Sequence, residues 1–226
     1  MTTPHPHQRG KLIVFEGGEG CGKTTQLEKI EAWLIESGWW EKLTHQGFTR
    51  RLTTREPGGT DLCQGIRQIL LTPQAETMTS TTELLLYAAD RAQHVEGCLR
   101  PALEAGALVL CDRYTDSTVA YQGYGRGLDL GLIDQLNGIA TGGLKSDLTL
   151  WLDLDVEIGL GRAKERGKRD RIEEADITFH RRLRQGFAAL AEAEGDRVVR
   201  IDASQDLGAV TAAIVAVLDQ RFRQWA

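Results

Sequence analysis

The segment 17–24 has the residue types and spacing of a loop that binds phosphate groups. It reads Gly-Gly-Glu-Gly-Cys-Gly-Lys-Thr, the GxxxxGK[ST] pattern, and it directly follows an apolar run. Small residues let backbone N–H groups turn toward a phosphate, and a helix starting at Lys23 points its positive dipole end there. The lysine then reaches the β- and γ-phosphates, and the Thr24 hydroxyl ligates Mg²⁺. The predicted nucleoside triphosphate site comprises Gly17, Gly18, Gly20, Cys21, Gly22, Lys23, Thr24 and Thr25.

The chain lacks the two segments that are typical of guanine-nucleotide switches. Its one asparagine, Asn137, is followed by Gly138, so the guanine-reading NKxD pattern cannot be present. No aspartate is followed three positions later by glycine, which excludes the DxxG pattern as well. ATP is therefore the favoured phosphoryl donor, with Mg²⁺ as the cofactor.

Two further clusters carry charged side chains that could bind an acceptor for the phosphoryl group. Arg55 opens the segment Arg-Glu-Pro-Gly-Gly-Thr, in which proline and glycine fix a turn. Asp112 and Arg113 directly follow the apolar run 108–111, and ligands of doubly wound sheets bind beyond the carboxyl ends of the strands. We expect Asp112 to associate with Mg²⁺ and Arg113 to bind phosphate. Taken singly, each of these residues could equally belong to an ordinary ion pair.

A third cluster pairs an aromatic ring with a guanidinium group. Tyr87 and Arg91 lie four residues apart in a segment with helical spacing, so they share one helix face. This pair suits a nucleobase, which would stack on the ring and be hydrogen-bonded at its edge. Alone, the pair could be a half-buried tyrosine beside an exposed arginine. Near a phosphate loop, it favours a nucleotide as the acceptor.

These residues are separated by regular elements that alternate along the chain. Short apolar runs, typical of buried parallel strands, occur at 12–15, 108–111, 148–152 and 198–201, with a weaker candidate at 52–54. Helical patterns occur at 23–37, at 80–104 and from about 206. The last helix is predicted to bury Leu207, Val210, Ile214, Val217 and Leu218. The alternation predicts an α/β fold with a mostly parallel sheet.

The composition of the 226 residues excludes several classes of protein. Twenty-seven Lys and Arg against 32 Asp and Glu give a net charge of −5, which argues against a general nucleic-acid binder. No apolar run approaches the length that a membrane helix needs, and residues 1–9 show no apolar signal segment. The four cysteines lack CxxC spacing, so reduced thiols are expected. We therefore expect a cytoplasmic protein without a nucleic-acid or membrane partner.

Four motifs together resemble the thymidylate kinase family, which phosphorylates dTMP with ATP: FEGGEGCGKTTQ, REPGGT, LLLYAADRAQH and DRYTDSTVAYQG. The resemblance runs from about Lys11 to the final helix. It implies a P-loop NTPase-type three-layer fold, with a five-stranded parallel sheet flanked by helices, and a homodimer. Tyr87 stands where the family usually has phenylalanine. The segment 39–51 is longer and more aromatic than the resemblance leads us to expect.

The resemblance also implies roles for individual residues. Glu19 would meet the 3′-hydroxyl of the acceptor, and Arg55 and Arg113 would hold the dTMP phosphate. Tyr121 would crowd a 2′-hydroxyl, and the turn 203–205 would cup adenine. The Tyr87–Arg91 pair would stack on thymine and hydrogen-bond its edge. The dTMP-binding residues implied in this way are Glu19, Arg55, Tyr87, Arg91, Arg113, Ser117, Thr118, Tyr121 and Gln122.

The segment 162–171 holds six basic residues and two acids. Most charge runs are solvated faces, but phosphoryl transfer needs cations near the moving group. The P-loop has Gly20 where some members of the family have arginine. The resemblance implies a mobile basic lid at about 160–176, as in a bacterial subgroup. Arg166 is the first candidate for the catalytic cation, and Arg162 and Arg171 are expected at the ATP phosphates.

The sequence therefore predicts a single nucleoside monophosphate kinase domain over 10–226, preceded by a flexible tail at 1–9. The predicted reaction is Mg²⁺-dependent transfer from ATP to dTMP, a step of dTTP biosynthesis. Two alternatives stay open: a kinase for another nucleoside monophosphate, and a regulator that binds nucleotide without catalysis. The predicted catalytic residues are Glu19, Lys23, Arg113 and Arg166.

Overall fold

The computed structural model describes residues 9–72, 77–165, 167, 171–172 and 174–225. The predicted tail at 1–9 lies outside these residues except for Arg9. Within these ranges, no helix combines the length and the apolar character required to cross a lipid bilayer.

Five parallel strands form one sheet in the order β2-β3-β1-β4-β5, which confirms the predicted fold. The strands are β1 (Lys11–Glu16), β2 (Arg51–Arg55), β3 (Leu108–Asp112), β4 (Leu148–Asp153) and β5 (Val198–Asp202). The three central strands are almost completely buried, which is why their sequences are continuous apolar runs. β2 lies at the edge and is only partly covered, so its apolar signal is weak.

Ten helices in the described part of the chain connect and flank the strands. They are α1 (Lys23–Glu36), α2 (Trp39–His45), α3 (Asp61–Leu71), α4 (Ser80–His94), α5 (Arg100–Glu104), α6 (Thr115–Thr118), α7 (Leu130–Thr141), α8 (Val156–Glu165), α9 (Ile177–Ala193) and α10 (Leu207–Trp225). A π-helical turn, Val95–Leu99, joins α4 to α5, so the predicted helix at 80–104 is continuous. A second π-helical segment, Val119–Gly125, continues α6.

The side chains of β1 divide the core between the two faces of the sheet. Ile13 and Phe15 pack with α1 and α10, whereas Leu12 and Val14 pack against α5 and the π-helical turn before it. α10 differs from the prediction at its start. Leu207 is 49% exposed at the cavity described below, and the first buried residue of the helix is Val210.

The aromatic segment that the sequence left unexplained closes the core beneath α10. Trp39 of α2 is buried, lies 5.5 Å from the Phe222 ring, and donates its indole N–H to Asp219 (3.0 Å). Trp33 stacks on the same phenylalanine at 6.2 Å. The segment therefore anchors the C-terminal helix, which lies at the other end of the chain.

We predict that Trp39→Ala lowers the free energy of unfolding by about 3–5 kcal/mol, because it leaves a cavity in this aromatic cluster. Trp40→Ala is the matched control. Trp40 is half-buried under the Arg51 guanidinium, so we expect a loss of only about 1 kcal/mol. Urea unfolding followed by circular dichroism measures both. Equal losses would show that the cluster does not hold α10.

Candidate active site

A cavity of about 740 Å³ lies at the carboxyl edge of the sheet. Its walls are the P-loop, the ends of β2 and β3, α4, the second π-helical segment, α8 and the turn after β5. The structure thus brings most of the predicted site residues together. Those that line the cavity are Glu19, Gly20, Cys21, Gly22, Lys23, Thr24, Thr25, Arg55, Tyr87, Arg91, Asp112, Arg113, Ser117, Thr118, Tyr121, Gln122 and Arg162.

The P-loop leads from β1 into α1, as its sequence predicts. α1 begins at Lys23, directly after Gly22, whose φ of 92° favours glycine. The Lys23 ammonium donates to the carbonyls of Gly17 and Gly18, both at 3.0 Å. These two glycines do not line the cavity, so their contact with phosphate stays a prediction.

A contact between two glycines holds the P-loop against α8. A Cβ atom on Gly20 would overlap the Gly159 backbone, and a Cβ atom on Gly159 would overlap the Glu19 carbonyl. Gly20 also has a φ of 66°. No arginine fits at position 20 in this packing. Any further cation beside Lys23 must therefore come from another segment.

Glu19 projects from the P-loop toward the acceptor side of the cavity. Its Oε1 accepts hydrogen bonds from the Arg113 guanidinium (2.8 Å) and the Tyr121 hydroxyl (2.7 Å). Burial raises the pKa of this carboxyl, but the Arg113 and Lys23 charges and the Tyr121 bond outweigh burial and lower the pKa to about 2. Glu19 is therefore an ionised acceptor of hydrogen bonds and a very weak base.

Arg113 has a backbone conformation that side chains rarely adopt, with φ at 71°. Glu16, at the end of β1, holds this turn: it accepts from the backbone N–H groups of Tyr114 (2.8 Å) and Ser117 (3.1 Å). Its second oxygen accepts from the Ser117 hydroxyl (2.6 Å). Burial raises the pKa of Glu16 to about 7. The turn directs the Arg113 guanidinium at the carbonyl of Gly17 and the carboxylate of Glu19.

Arg91 is 2% exposed, and its side chain forms part of the cavity wall. Its Nε donates to Glu56 (2.9 Å), its Nη1 to Thr118 (2.8 Å) and Asn137 (2.9 Å), and its Nη2 to the Tyr114 carbonyl (3.0 Å). A guanidinium carries five N–H donors. Within the described part of the chain, one N–H on Nη2 is left for a ligand. The predicted contact with a base edge therefore rests on that single donor.

The loop after β2 depends on a buried histidine. His94 contacts Glu56 through Nδ1 (2.9 Å) and Thr54 through Nε2 (2.8 Å). Burial lowers the pKa of His94, but Cys98 and Glu56 outweigh it and raise the pKa to about 9. The ring also packs so closely under Gly59 that a Cβ atom there would overlap it. The second glycine of the REPGGT motif is thus required by packing.

Arg171 is not on the phosphate side of the cavity. Its guanidinium pairs with the fully buried Glu83 and donates to the Leu70 carbonyl (3.0 Å), and the residue does not line the cavity. The prediction of an ATP phosphate contact for Arg171 is therefore not supported by its position. A buried carboxylate attracts this cation, and spacing within a basic run cannot reveal such a partner.

Helix α8 contributes one arginine to the cavity. Arg162 of α8 is exposed and lines it, three residues after the Gly159 that contacts the P-loop. Residues three apart on a helix share a face, so the glycine contact turns Arg162 toward the loop. Arg166, the first candidate for the catalytic cation, lies outside the described residues.

The residues predicted to bind metal fit Mg²⁺ with partners from the substrates. Asp112 and Thr24 line the same cavity, and Oδ1 of Asp112 is buried without a hydrogen-bond partner in the described structure. Among those residues, no group of three or more His, Cys, Asp or Glu could hold a metal ion. A hard cation that keeps water and phosphate oxygens as ligands suits such a sparse site.

Three buried carboxyl groups that position the site had no predicted role. Glu16, Glu56 and Glu83 are each at most 4% exposed and hold arginines or the turns that carry them. Glu16 and Glu56 lie inside motifs, but as neighbours of residues with clearer roles. Glu83 follows Ser-Thr-Thr and resembles a helix-capping residue, although the cap is Thr79. The available signal was the position of Glu16 at the end of a buried strand; Glu56 and Glu83 had none of this kind.

The fold and the site together define a class of protein. A P-loop between β1 and α1, a parallel sheet, and one cavity joining this loop to a tyrosine–arginine pair characterise a P-loop phosphotransferase with a nucleotide acceptor.

Comparisons with known proteins identify the family. The family model described as thymidylate kinase matches residues 15–214. A thymidylate kinase of Cyanothece sp. (strain PCC 7425 / ATCC 29141) is 58% identical, covering 96% of this chain and 97% of the relative. One of Trichodesmium erythraeum (strain IMS101) is 56% identical, covering 96% and 98%. The crystal structure of thymidylate kinase from Ehrlichia chaffeensis has a TM-score of 0.72 at 33% identity, covering 93% of this chain and 99% of that chain. The chain belongs to the thymidylate kinase family.

The contact between α8 and the P-loop yields a prediction with a control in the same helix. Gly159→Ala pushes α8 away from the Glu19 carbonyl, so we expect kcat/KM for ATP to fall by about tenfold or more. Gly161→Ala has open space around its new methyl group and should keep full activity, with a stability gain of up to about 1 kcal/mol. Steady-state kinetics and thermal melting of both variants measure this. Equal activity in the two variants would contradict the role of the contact.

Proposed function

We propose that this chain transfers the γ-phosphoryl group of ATP to the phosphate of dTMP, giving ADP and dTDP. The observation that carries this proposal is the single cavity in which Glu19 and Arg113 join the P-loop to the Tyr87–Arg91 pair. Membership of the thymidylate kinase family, with relatives of that name matched over nearly their whole length, supports the same substrates.

On the donor side, the P-loop backbone and Lys23 would bind the β- and γ-phosphates. The Lys23 ammonium already points across the loop, because it bonds two of its carbonyls. The turn after β5 contributes Ala203 and Gln205 to the same cavity, where an adenine would lie. Arg162 would add positive charge at the phosphates from α8.

On the acceptor side, Arg55 and Arg113 would hold the dTMP phosphate. Tyr87 would stack on thymine, with Arg91 donating to its edge. Tyr121 is fixed by its bond to Glu19 and would occupy the space of a 2′-hydroxyl, which favours deoxyribose. The remaining predicted contacts, which also line the cavity, are Ser117, Thr118 and Gln122.

The protein contributes to the reaction by positioning the two substrates and by stabilising negative charge with its cations. A phosphate oxygen of dTMP is already anionic, so it attacks in line without a strong base, and Glu19 with a pKa near 2 could not act as one. Glu19 instead orients Arg113 and Tyr121. Arg113, Lys23 and a lid arginine stabilise the negative charge that spreads over the transferred group.

Mg²⁺ would be held by Thr24 and Asp112 together with the ATP phosphates, and it would neutralise charge on the phosphate oxygens. The buried, unpartnered oxygen of Asp112 supports this assignment.

A homodimer is part of the proposal. Apolar side chains stand exposed on α3, α4 and α7, which pack side by side. Leu62 and Ile69 are seven residues apart on α3, and Leu132 and Ile139 are seven apart on α7, so each pair shares a helix face. Ile139 is 78% exposed. A second copy of the chain would cover these side chains. The cytoplasmic location and the extent of the lid at about 160–176 stay predictions.

The test is release of ADP from MgATP with each of dTMP, dUMP, dCMP, UMP and AMP. We expect the highest kcat/KM with dTMP. The dUMP value should be about 10–200-fold lower, because a single methyl contact discriminates by no more than that. Highest turnover with another acceptor would keep the donor site and overturn the base pocket. Tight ATP binding without any turnover would favour a nucleotide-binding regulator.

The lid arginines give a second prediction. We expect Arg166→Ala to lower kcat by about 10³-fold while dTMP and ATP still bind, since a cation at the transferred group acts mainly in the transition state. Lys164→Ala is the control: it removes a charge from the same basic segment, and Lys164 does not line the cavity. Stopped-flow turnover and equilibrium binding separate the two effects. If Arg166→Ala keeps full turnover and Arg162→Ala loses it, the cation is Arg162.

A further inference from the structure

Glu83 of α4 is a fully buried carboxyl group beside the acceptor half of the cavity. Its Oε1 accepts from Gln122 Nε2 (2.8 Å) and Arg126 Nε (3.2 Å). Its Oε2 accepts from Arg126 Nη2 (3.1 Å) and pairs with Arg171. Glu83 itself does not line the cavity, whereas Gln122 does.

The surroundings of Glu83 keep it ionised. Burial raises its pKa, but hydrogen bonds from Arg126 and Gln122 and the charges of Arg126 and Arg171 outweigh burial and lower the pKa below its usual range. An ionised carboxylate accepts hydrogen bonds and donates none. Any group that touches its oxygens must therefore present an N–H or an O–H.

This constraint fixes the side-chain amide of Gln122. The amide must turn its NH₂ group toward Glu83, so its carbonyl oxygen Oε1 points to the opposite side. Gln122 is 1% exposed and lines the cavity, and within the described residues no donor bonds its Oε1. A carboxylate that does not touch the ligand thus determines that Gln122 offers the ligand a hydrogen-bond acceptor.

We propose that Glu83 is a positioning residue for base selection. By fixing the Gln122 amide, it selects acceptors whose ring nitrogen carries a proton, such as thymine and uracil, over cytosine, whose N3 is itself an acceptor. The inference rests on the proposed function, because it assumes a pyrimidine nucleotide against Gln122. Arg91 favours the same bases. Its guanidinium can only donate hydrogen bonds, so it suits a ring carbonyl of thymine or uracil and disfavours the exocyclic amino group of cytosine.

Arg126 and Arg171 have a supporting role in this arrangement. Each pairs with Glu83, and together they keep a buried carboxylate charged. Removal of one arginine leaves the other in place. The amide orientation of Gln122 should then persist, because Glu83 still offers it only acceptors.

The experiment compares kcat/KM for dTMP and for dCMP in the wild type, in Glu83→Gln and in Arg171→Met. An amide at position 83 can present either oxygen or NH₂, so the Gln122 amide can turn over and offer a donor to cytosine. We expect the dTMP/dCMP ratio of kcat/KM to fall by about tenfold or more in Glu83→Gln. In Arg171→Met the ratio should stay within about twofold of the wild type, whatever happens to turnover.

The outcomes separate this inference from the proposed function. Wild-type protein that does not turn over dTMP would overturn the proposed function, and the inference with it. Wild-type turnover with an unchanged ratio in folded Glu83→Gln, checked by thermal melting, would overturn the inference alone. An equal fall of the ratio in Arg171→Met would also overturn it, because general loosening of the site would then explain both.

A second measurement needs no variant. N3-methyl-dTMP lacks the ring N–H but keeps both carbonyl groups of thymine. We expect its kcat/KM with the wild-type protein to be about 100-fold or more below that of dTMP, since Gln122 Oε1 would face a methyl group. Turnover close to that of dTMP would show that Gln122 does not accept from N3 and would overturn the proposal.

Discussion

The ion pair between Arg113 and Glu19 connects the two halves of the site, and it depends on the backbone of β1 and β3. The guanidinium contacts the P-loop through the Gly17 carbonyl and the Glu19 carboxylate, and it lies 4.8 Å from the Tyr121 ring. One cation therefore touches the donor loop and the wall of the acceptor cavity. Its position requires an unusual φ of 71°, and the surrounding hydrogen bonds must compensate for the cost of this backbone conformation. The positive charge of Arg113 is thus already in place in the folded protein before any substrate binds.

Buried carboxyl groups position the hydrogen-bond donors throughout this site. Glu16 holds the turn that carries Arg113, Glu56 holds Arg91, and Glu83 holds Gln122. A buried carboxylate is costly unless it is paired, so each of these groups strongly disfavours any arrangement that leaves it unpaired. Glu16 and Glu83 fix their donors without lining the cavity, whereas Glu56 lines it together with Arg91. Under the role proposed for Glu83, base selectivity would depend on a residue that does not itself contact the ligand.

The sequence predicted what is local and missed what depends on contacts through space. The buried strands and the P-loop follow from apolar runs and glycine spacing, and Tyr87 and Arg91 follow from helical periodicity. Arg171 shows the limit: it belongs to a basic run, but a distant carboxylate pairs with it. Leu207 shows another limit, because periodicity cannot tell where a helix leaves the sheet. The segment containing Trp39 looked like an insertion and proved to be part of the core, since its partner Phe222 lies at the other end of the chain.

The contact between Gly20 and Gly159 explains why the P-loop lacks an arginine and why α8 can supply one. Gly20 and Gly159 approach so closely that neither position accepts a side chain. This packing prevents position 20 of the P-loop from supplying a second cation beside Lys23. It also lays α8 along the loop, and one helical turn further on Arg162 enters the cavity. Arg162 is therefore positioned by α8 and not by the P-loop itself. Charge at the transferred group would then be highest when α8 is seated, which couples chemistry to closure of the site.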